Sequence, residues 1–306
     1  MVERNLKNMY VFLRSIYYFF RTVFFDLATI ISPTLNTRLR YWDAFHKKLD
    51  LENPKDLNEK NLWLKLKDYG HNELVRQCAD KYGVREYVQK CGCGEILNEL
   101  IVKYESPEEI QWDSLPNQFA MKLNSGCGGN IICSDKSKLD FEQCRRNLKK
   151  WIRKKYYLAY SEMQYKDVKP IIIVEKYLKD GNGLLPVDYK FYCMNGRAEY
   201  LMLCIGREYG HPKFYWYNRN WEFVPFEEKK DPHIEKPELM DEAFKYADIL
   251  SKPFPFVRTD LYIIDNRIIF GELTFTSAGG MDKTISQEAL NIMGDMIDLK
   301  YSNKLI

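Results

Sequence analysis

Histidine is nearly missing from this 306-residue chain, which holds four. That scarcity suits a chemistry needing no Ser/His/Asp or Cys/His nucleophile. Long hydrophobic runs are missing too: nowhere do about 18 apolar residues follow one another without a charge, the length a spanning helix needs. No cleavable signal peptide is legible. The eight cysteines include no C-x-x-C pair, since Cys91 and Cys93 stand in "CGCG". A disulfide framework is therefore not expected, and reduced thiols in a cytoplasmic protein are. A large excess of one charge is also lacking. At a net +3 the chain gives no argument for nucleic acid as a partner, although local basic clusters exist. Internal repeats, low-complexity segments and the P-loop pattern G-x-x-x-x-G-K-[ST] are likewise absent.

What is present is a composition 45% hydrophobic and 29% charged, enough for a sizeable core. The length suggests two or three lobes rather than one unit. The strongest apolar segment is "MYVFLRSIYYFFRTVFFDLATIIS", residues 9–32. Arg14, Arg21 and Asp26 interrupt it, and Lys7, Arg14 and Arg21 recur every seven residues along one stripe of a helix. Such a helix, with Tyr10, Phe12, Tyr17, Phe20, Phe24 and Phe25 beside the cations, can lie in an anionic membrane interface. It can equally pack on its own protein or on a second subunit. Pro33 ends it.

Beyond Pro33, residues 53–70 read as a capped helix with Leu62, Leu66 and Tyr69 at helical spacing. Residues 79–92 read as another helix start, followed by a Gly-rich loop and the strand-like "LNELIVKY". "QFAMKLNSGCGGNIICSD" (118–135) is a strand, a Gly/Ser loop and a second strand. A basic helix follows, then the buried strand "KPIIIVEKYL" (169–178). Two hairpins are expected, one turning at Asn195-Gly196 and one at Asp265-Asn266.

Three stretches carry chemistry. In "MKLNSGCGGN", Lys122 ends a strand, and Ser125, Gly126, Gly128 and Gly129 form a loop able to close over a polyphosphate. Backbone N–H groups come close where side chains are absent; an ordinary turn would look the same. Glu175 follows an aliphatic strand, where a carboxylate can accept from an adenine amino group or a ribose hydroxyl, or pair with a surface lysine. "FVRTDLYIIDNRIIFGELTFT" (256–276) places Asp260 and Glu272 on neighbouring strands. Pairing 260 with 271 or 272 brings both acids to one face, where they repel unless a divalent cation sits between them. Removal of one acid would then stabilise the metal-free protein. Mg²⁺ suits the pair. Arg258 shares the face, and a buried Arg258–Asp260 salt bridge is the alternative.

Taken in order and spacing, Lys122 with its loop, Glu175, "DYKFYCMNG" and "VRTDLY…FGELTFT" resemble the ATP-grasp ligases. The likeness is closest to the TupA-like branch, associated with bacterial polysaccharide and teichuronopeptide biosynthesis, and runs from about residue 80 to 280. It implies an α+β fold of two lobes clasping a nucleotide, preceded by a helical N-terminal region. The expected division is 1–45 for the basic amphipathic helix, 46–117 for a helix-rich part, 118–180 for the lobe with the Gly-rich loop, and 181–306 for the lobe with the metal site.

The resemblance also assigns residues. Lys81 and Lys122 resemble the phosphate-holding lysines. Glu175 with Lys176, Tyr177 and Leu178 resembles the adenine and ribose hinge. Lys190 and Arg207 match basic positions facing the phosphates and the reacting centre. Asp260 and Glu272 resemble the metal-bridging pair, and Arg258 the arginine beside the acyl intermediate. Many relatives have Asn where this chain has Thr274, whose hydroxyl can bind metal or water. The implied activity is an ATP- and Mg²⁺-dependent ligation of an amine, an amino acid, to a uronic-acid carboxylate of a surface glycan precursor, through an acyl phosphate. A glycosyltransferase is the alternative enzyme, although "RTD" supplies only one acid of a D-x-D-like motif. A scaffold of the same fold without turnover is the third reading.

Overall fold

Ser32 and Pro33 break the N-terminal region into a helical hairpin in the computed structural model, which describes residues 2–181, 184–207 and 210–301. Helix α1 (Val2–Ile31) stops where Ser32 turns extended, and α2 (Pro33–Phe45) starts with Pro33 in its first turn, where a missing N–H costs nothing. The two helices run antiparallel. Asn36 Nδ2 donates to the Phe25 carbonyl at 2.6 Å, and Arg21 pairs with Asp43. The Arg40 guanidinium lies 3.9 Å from the centre of the Phe25 ring. No described helix is long and apolar enough to cross a membrane.

The helix expected over 53–70 forms from Leu57, capped by Asp56, whose Oδ1 accepts from the Glu59 N–H at 2.9 Å. This helix, α3 (Leu57–Leu64), continues as a π-helical turn over Lys65–Tyr69. Lys65 is buried there, and its Nζ donates to the carbonyl of Tyr160 at 2.8 Å and towards that of Gly279 at 3.5 Å. Burial pushes its pKa down, and the buried carboxylate of Glu162 nearby opposes that. Lys65→Met is expected to lower stability by about 1.5–3 kcal/mol, the worth of a charged hydrogen bond. Urea unfolding checks it, with a lower midpoint and an unchanged slope as the result.

Two helices, α4 (Glu73–Ala79) and α5 (Gly83–Lys90), flank Asp80–Tyr82. The expected helix start at 79 is therefore a break, and its half-buried corner carries Lys81. The Lys81 N–H donates to the carbonyl of Asn124 at 2.8 Å, which fixes the corner against the Gly-rich loop.

The smaller sheet is antiparallel and ordered β1 (Leu100–Tyr104), β4 (Ile172–Lys176), β2 (Phe119–Leu123), β3 (Asn130–Cys133). The basic helix α6 (Phe141–Arg153) covers it, burying Leu148 with Phe119, Met121, Ile172 and Val174. Strand β1 falls before the expected boundary at 117/118, yet it pairs with β4. This long-range pairing leaves no local mark in the sequence. A short helix, α7 (Tyr157–Tyr160), then packs on α1.

The larger sheet runs β10 (Arg267–Thr274), β9 (Phe256–Ile264), β5 (Asp188–Met194), β6 (Arg197–Ile205), β7 (Lys213–Asn218), β8 (Phe223–Val224), again antiparallel. Both expected hairpins form. Asn195-Gly196 and Asp265-Asn266 have positive φ at both turn residues, which matches the twist of the strands they join. Helix α8 (Met240–Ser251) seals one face of the sheet through Phe244 and Ala247, and α9 (Gln287–Met296) closes the chain onto α3. All eight cysteines are free. The architecture is α+β with two sheets and a leading helical hairpin.

Candidate active site

The register of the larger sheet builds the centre. Lys190 on β5 stands opposite Asp260 on β9, which stands opposite Glu272 on β10. The next row on the same face is Tyr192, Arg258 and Thr274. A β-bulge between Phe270 and Glu272 makes this alignment possible. The extra residue is Gly271, where a Cβ would come within 2.9 Å of the Asp260 carbonyl. Glycine is therefore required to set Glu272 beside Asp260.

The two acids do not face each other across empty space. Arg258 grips Asp260 in a bidentate pair, Nε to Oδ1 and Nη2 to Oδ2, both 2.7 Å. Lys190 adds a third contact to Asp260 at 2.7 Å. Nη2 of Arg258 also lies 3.6 Å from Glu272. The expected repulsion is thus replaced by a shared cation, and the buried Arg258–Asp260 salt bridge is present. Burial would push the Asp260 carboxyl up, but Arg258 and Lys190 outweigh it and hold it below the usual carboxylate range. Thr274 joins this network, accepting from Arg258 at 3.2 Å and donating to Glu272 Oε1 at 3.1 Å. Its hydroxyl orients Glu272.

A cleft of about 290 Å³ opens between the sheets over this centre. Lys81, Lys122, Lys176, Lys190 and Arg207 line it against three acids, Asp188, Asp260 and Glu272. Its apolar walls include Ala120 and Ile132 of the smaller sheet, and Leu178, Leu185, Pro186 and Tyr262. Such a lining suits a flat ring at one end and a polyanion at the other.

Most residues singled out in the sequence meet here, but two placements differ from expectation. Glu175 is buried and does not line the cleft. Lys122 Nζ donates to its Oε2 at 2.9 Å and Arg85 Nη1 to its Oε1 at 3.2 Å, so Lys176, Tyr177 and Leu178 are left as the hinge surface. The Gly-rich loop is also turned aside: Ser125, Gly128 and Gly129 line a hollow of about 200 Å³ against Trp151 and Tyr156. Gly126 has φ +74, and a Cβ there would meet the Tyr156 ring at 2.5 Å. Lys81 reaches this loop by donating to the Gly126 carbonyl, and its Nζ lies 3.8 Å from Glu272. Arg207 does line the cleft, where Asp188 holds it at 2.9 Å. Asp188 and Arg85 were missed in the sequence. Asp188 sits two residues from Lys190 on the same strand face, a signal that "DYK" contains; Arg85 left none.

A second cavity of about 440 Å³ lies behind the centre. It shares Lys81 and Glu272 with the cleft, and Arg258, Thr274 and Ser277 form one wall. Tyr156, Tyr160, Tyr165 and Glu162 form another. Glu162 is buried, accepts from Thr276, and is pushed up by desolvation. The centre therefore separates a basic cleft from an aromatic, partly acidic one.

Residues 59–298 match the family described as TupA-like ATPgrasp. The chain belongs to the TupA-like ATP-grasp family. No curated protein is significantly similar to it. Among solved structures, this ATP-grasp chain resembles D-alanine–D-alanine ligase from Bacillus anthracis at 16% identity and a TM-score of 0.41, covering 79% of this chain and 69% of that one. It resembles D-alanyl-alanine synthetase A from Vibrio cholerae at 11% identity and a TM-score of 0.43, over 72% and 62%. An N5-carboxyaminoimidazole synthase from Aspergillus clavatus, in complex with ADP, matches at 11% identity and a TM-score of 0.41, over 66% and 45%. The chain thus spans less than two thirds of the last two.

The ATP-grasp fold implies Mg²⁺. Among the described residues no group of three or more His, Cys, Asp and Glu is placed to hold a metal ion. Mg²⁺ asks for less, one or two carboxylates beside substrate phosphates and water. Asp260 and Glu272 both line the basic cleft, Asp260 with its two oxygens held by Arg258 and Lys190. Glu272, with 39% of its side chain exposed, is the freer of the two.

Proposed function

We propose that this protein is an ATP-dependent ligase joining a carboxylate to an amine through an acyl phosphate. The acid in this reading is a uronic-acid carboxylate of a surface polysaccharide precursor and the amine an amino acid, acting at the cytoplasmic side. The observation that carries it is the position of Arg258, Asp260 and Glu272 between a basic cleft and a second cavity. ATP fits the first: adenine between the apolar walls, with the hinge backbone at Lys176–Leu178 along its edge, and phosphates over Lys122, Lys190, Arg207 and Lys81.

The acceptor carboxylate enters the second cavity and meets the γ-phosphate at Lys81 and Glu272. Its oxygen bonds to phosphorus as the bond to the bridging β,γ-oxygen breaks, and ADP leaves with that electron pair. The lysines and Arg207 offset the charge of the transferring group, where positioning and electrostatics carry the rate. Glu272, with Asp260 beside it, would hold Mg²⁺, which when bound would further neutralise the phosphates. The amine then attacks the acyl carbon. Arg258, oriented by Asp260, Thr274 and Ser277, stabilises the tetrahedral oxyanion until the C–O bond breaks and phosphate departs. The amine gives up its proton on the side of Glu162 and Glu272.

Incubation of the full chain with ATP, Mg²⁺, a uronic-acid glycoside and a mixture of amino acids tests this. ADP and phosphate are expected only when acid and amine are both present. Release of a nucleoside diphosphate from a sugar donor without ATP would identify a glycosyltransferase. No turnover with any combination would leave a scaffold.

A further inference from the structure

Helix α1 is amphipathic the wrong way round for a helix packed on its own body. At roughly 100° per residue, Phe12, Leu13, Phe19, Phe20, Phe24 and Ile31 gather on one side, and each leaves 55–75% of its surface in solvent. From Arg21 to Thr29 the opposite side faces the protein and carries the polar contacts, whereas residues 12–20 are exposed all round. Arg21 pairs with Asp43, Phe25 is buried under Arg40, and Thr29 bonds Leu158 O at 2.6 Å and Ser161 Oγ at 2.9 Å. Arg21 and Phe25, expected at a membrane surface, are thus used for docking onto the body, and the side chain of Lys7 lies outside the described residues.

An apolar face this long and wide needs an occupant. A coiled-coil partner would use a narrow seam, whereas this strip covers nearly half the helix. The rim is cationic. Arg153, Lys154 and Lys155 are exposed where α6 leads into α7, which packs on α1, and the charge of Lys154 reaches Asp26 of α1. Arg14 is exposed on the helix itself. In a symmetric dimer through this face, such clusters would be brought towards their own copies. An anionic bilayer satisfies both the apolar strip and its rim.

The same helix adjoins the second cavity. The Arg40 guanidinium lies between the Phe25 ring of α1, at 3.9 Å, and the Tyr160 ring, at 4.2 Å, and Tyr160 lines that cavity. We propose that α1 lays its apolar face into an anionic phospholipid interface, and that the carboxylate substrate entering beside Tyr160 is membrane-anchored. The second half of this proposal rests on the ligase reading; the first does not.

Sedimentation of the full chain with phosphatidylglycerol/phosphatidylcholine vesicles tests the first half, against pure phosphatidylcholine. The protein is expected to pellet with anionic vesicles at low salt and to be released by salt. The double variant Phe20→Glu, Phe24→Glu, both solvent-facing, should stay in the supernatant with an unchanged far-ultraviolet spectrum and melting midpoint. Wild-type protein left in the supernatant overturns the proposal, and so does a dimer, seen by analytical ultracentrifugation, in place of vesicle binding. For the second half, ADP release is followed with a soluble uronic-acid glycoside and with the same sugar on a lipid anchor in the vesicles. The variant should keep its rate on the soluble acceptor and lose at least tenfold on the anchored one. Equal rates on the anchored acceptor overturn the second half. No ADP from either acceptor overturns the ligase reading, while pelleting still decides the first half.

Discussion

Glu272→Gln is expected to cut ADP release about 100-fold or more, the scale of losing one electrostatic contributor at a reacting centre, while unfolding shifts by no more than about 0.5 kcal/mol. The carboxylate is partly exposed, among the described residues hydrogen-bonded by the Thr274 hydroxyl alone, and has Arg258 and Lys81 beyond 3.5 Å. Its neighbour behaves differently. Asp260→Asn leaves the buried Arg258 without its anion, while Lys190 keeps Asp188 at 3.3 Å, and breaking a buried pair in that way costs about 3–5 kcal/mol. Removal of Asp260 is therefore expected to destabilise the metal-free protein rather than relieve a repulsion. Steady-state ADP assays beside urea titrations of both variants check the contrast. Wild-type turnover in Glu272→Gln would dismiss this carboxylate from the reaction.

Lys122→Ala should weaken ATP binding by about ten- to 100-fold, as expected for a charged hydrogen bond worth about 1.5–3 kcal/mol. The lysine has a second duty, since its Nζ also holds Glu175. Arg85→Ala separates the two. Arg85 holds the other oxygen of Glu175 and does not line the cleft. It should lose stability while keeping nucleotide affinity within about twofold. Calorimetric titration with ATP on both variants decides, and equal affinity losses would make Lys122 a structural partner of Glu175 alone.

The site was partly legible because its residues obey local rules. Arg258 and Asp260 lie two apart on one strand, so period-two alternation puts them on one face. Asp265-Asn266 announces the turn, and turn plus period bring Glu272 close to Asp260. What alternation cannot supply is the bulge at Gly271, which decides whether Gly271 or Glu272 stands opposite Asp260. It also cannot reveal that Lys190, on a strand 70 residues earlier, completes the row. The second partner of Glu175 was hidden for a related reason. The glutamate's place after an aliphatic run is local, but the Arg85 that occupies it comes from a helix 90 residues away.

By itself the amino-acid order determined the periodicities, the turns, the helix caps at Ser32–Pro33 and Asp56, and the set of motifs that marks an ATP-grasp chain. These depend on neighbours within a few residues, where backbone geometry and side-chain hydrogen bonds act directly. Only the tertiary structure decided which charges pair and which face the cleft. It alone joined β1 to the sheet of β2–β4, turned the Gly-rich loop towards Tyr156, and pointed the apolar side of α1 outward. Each of those outcomes rests on contacts between segments far apart in the chain, and no short window of sequence contains both partners.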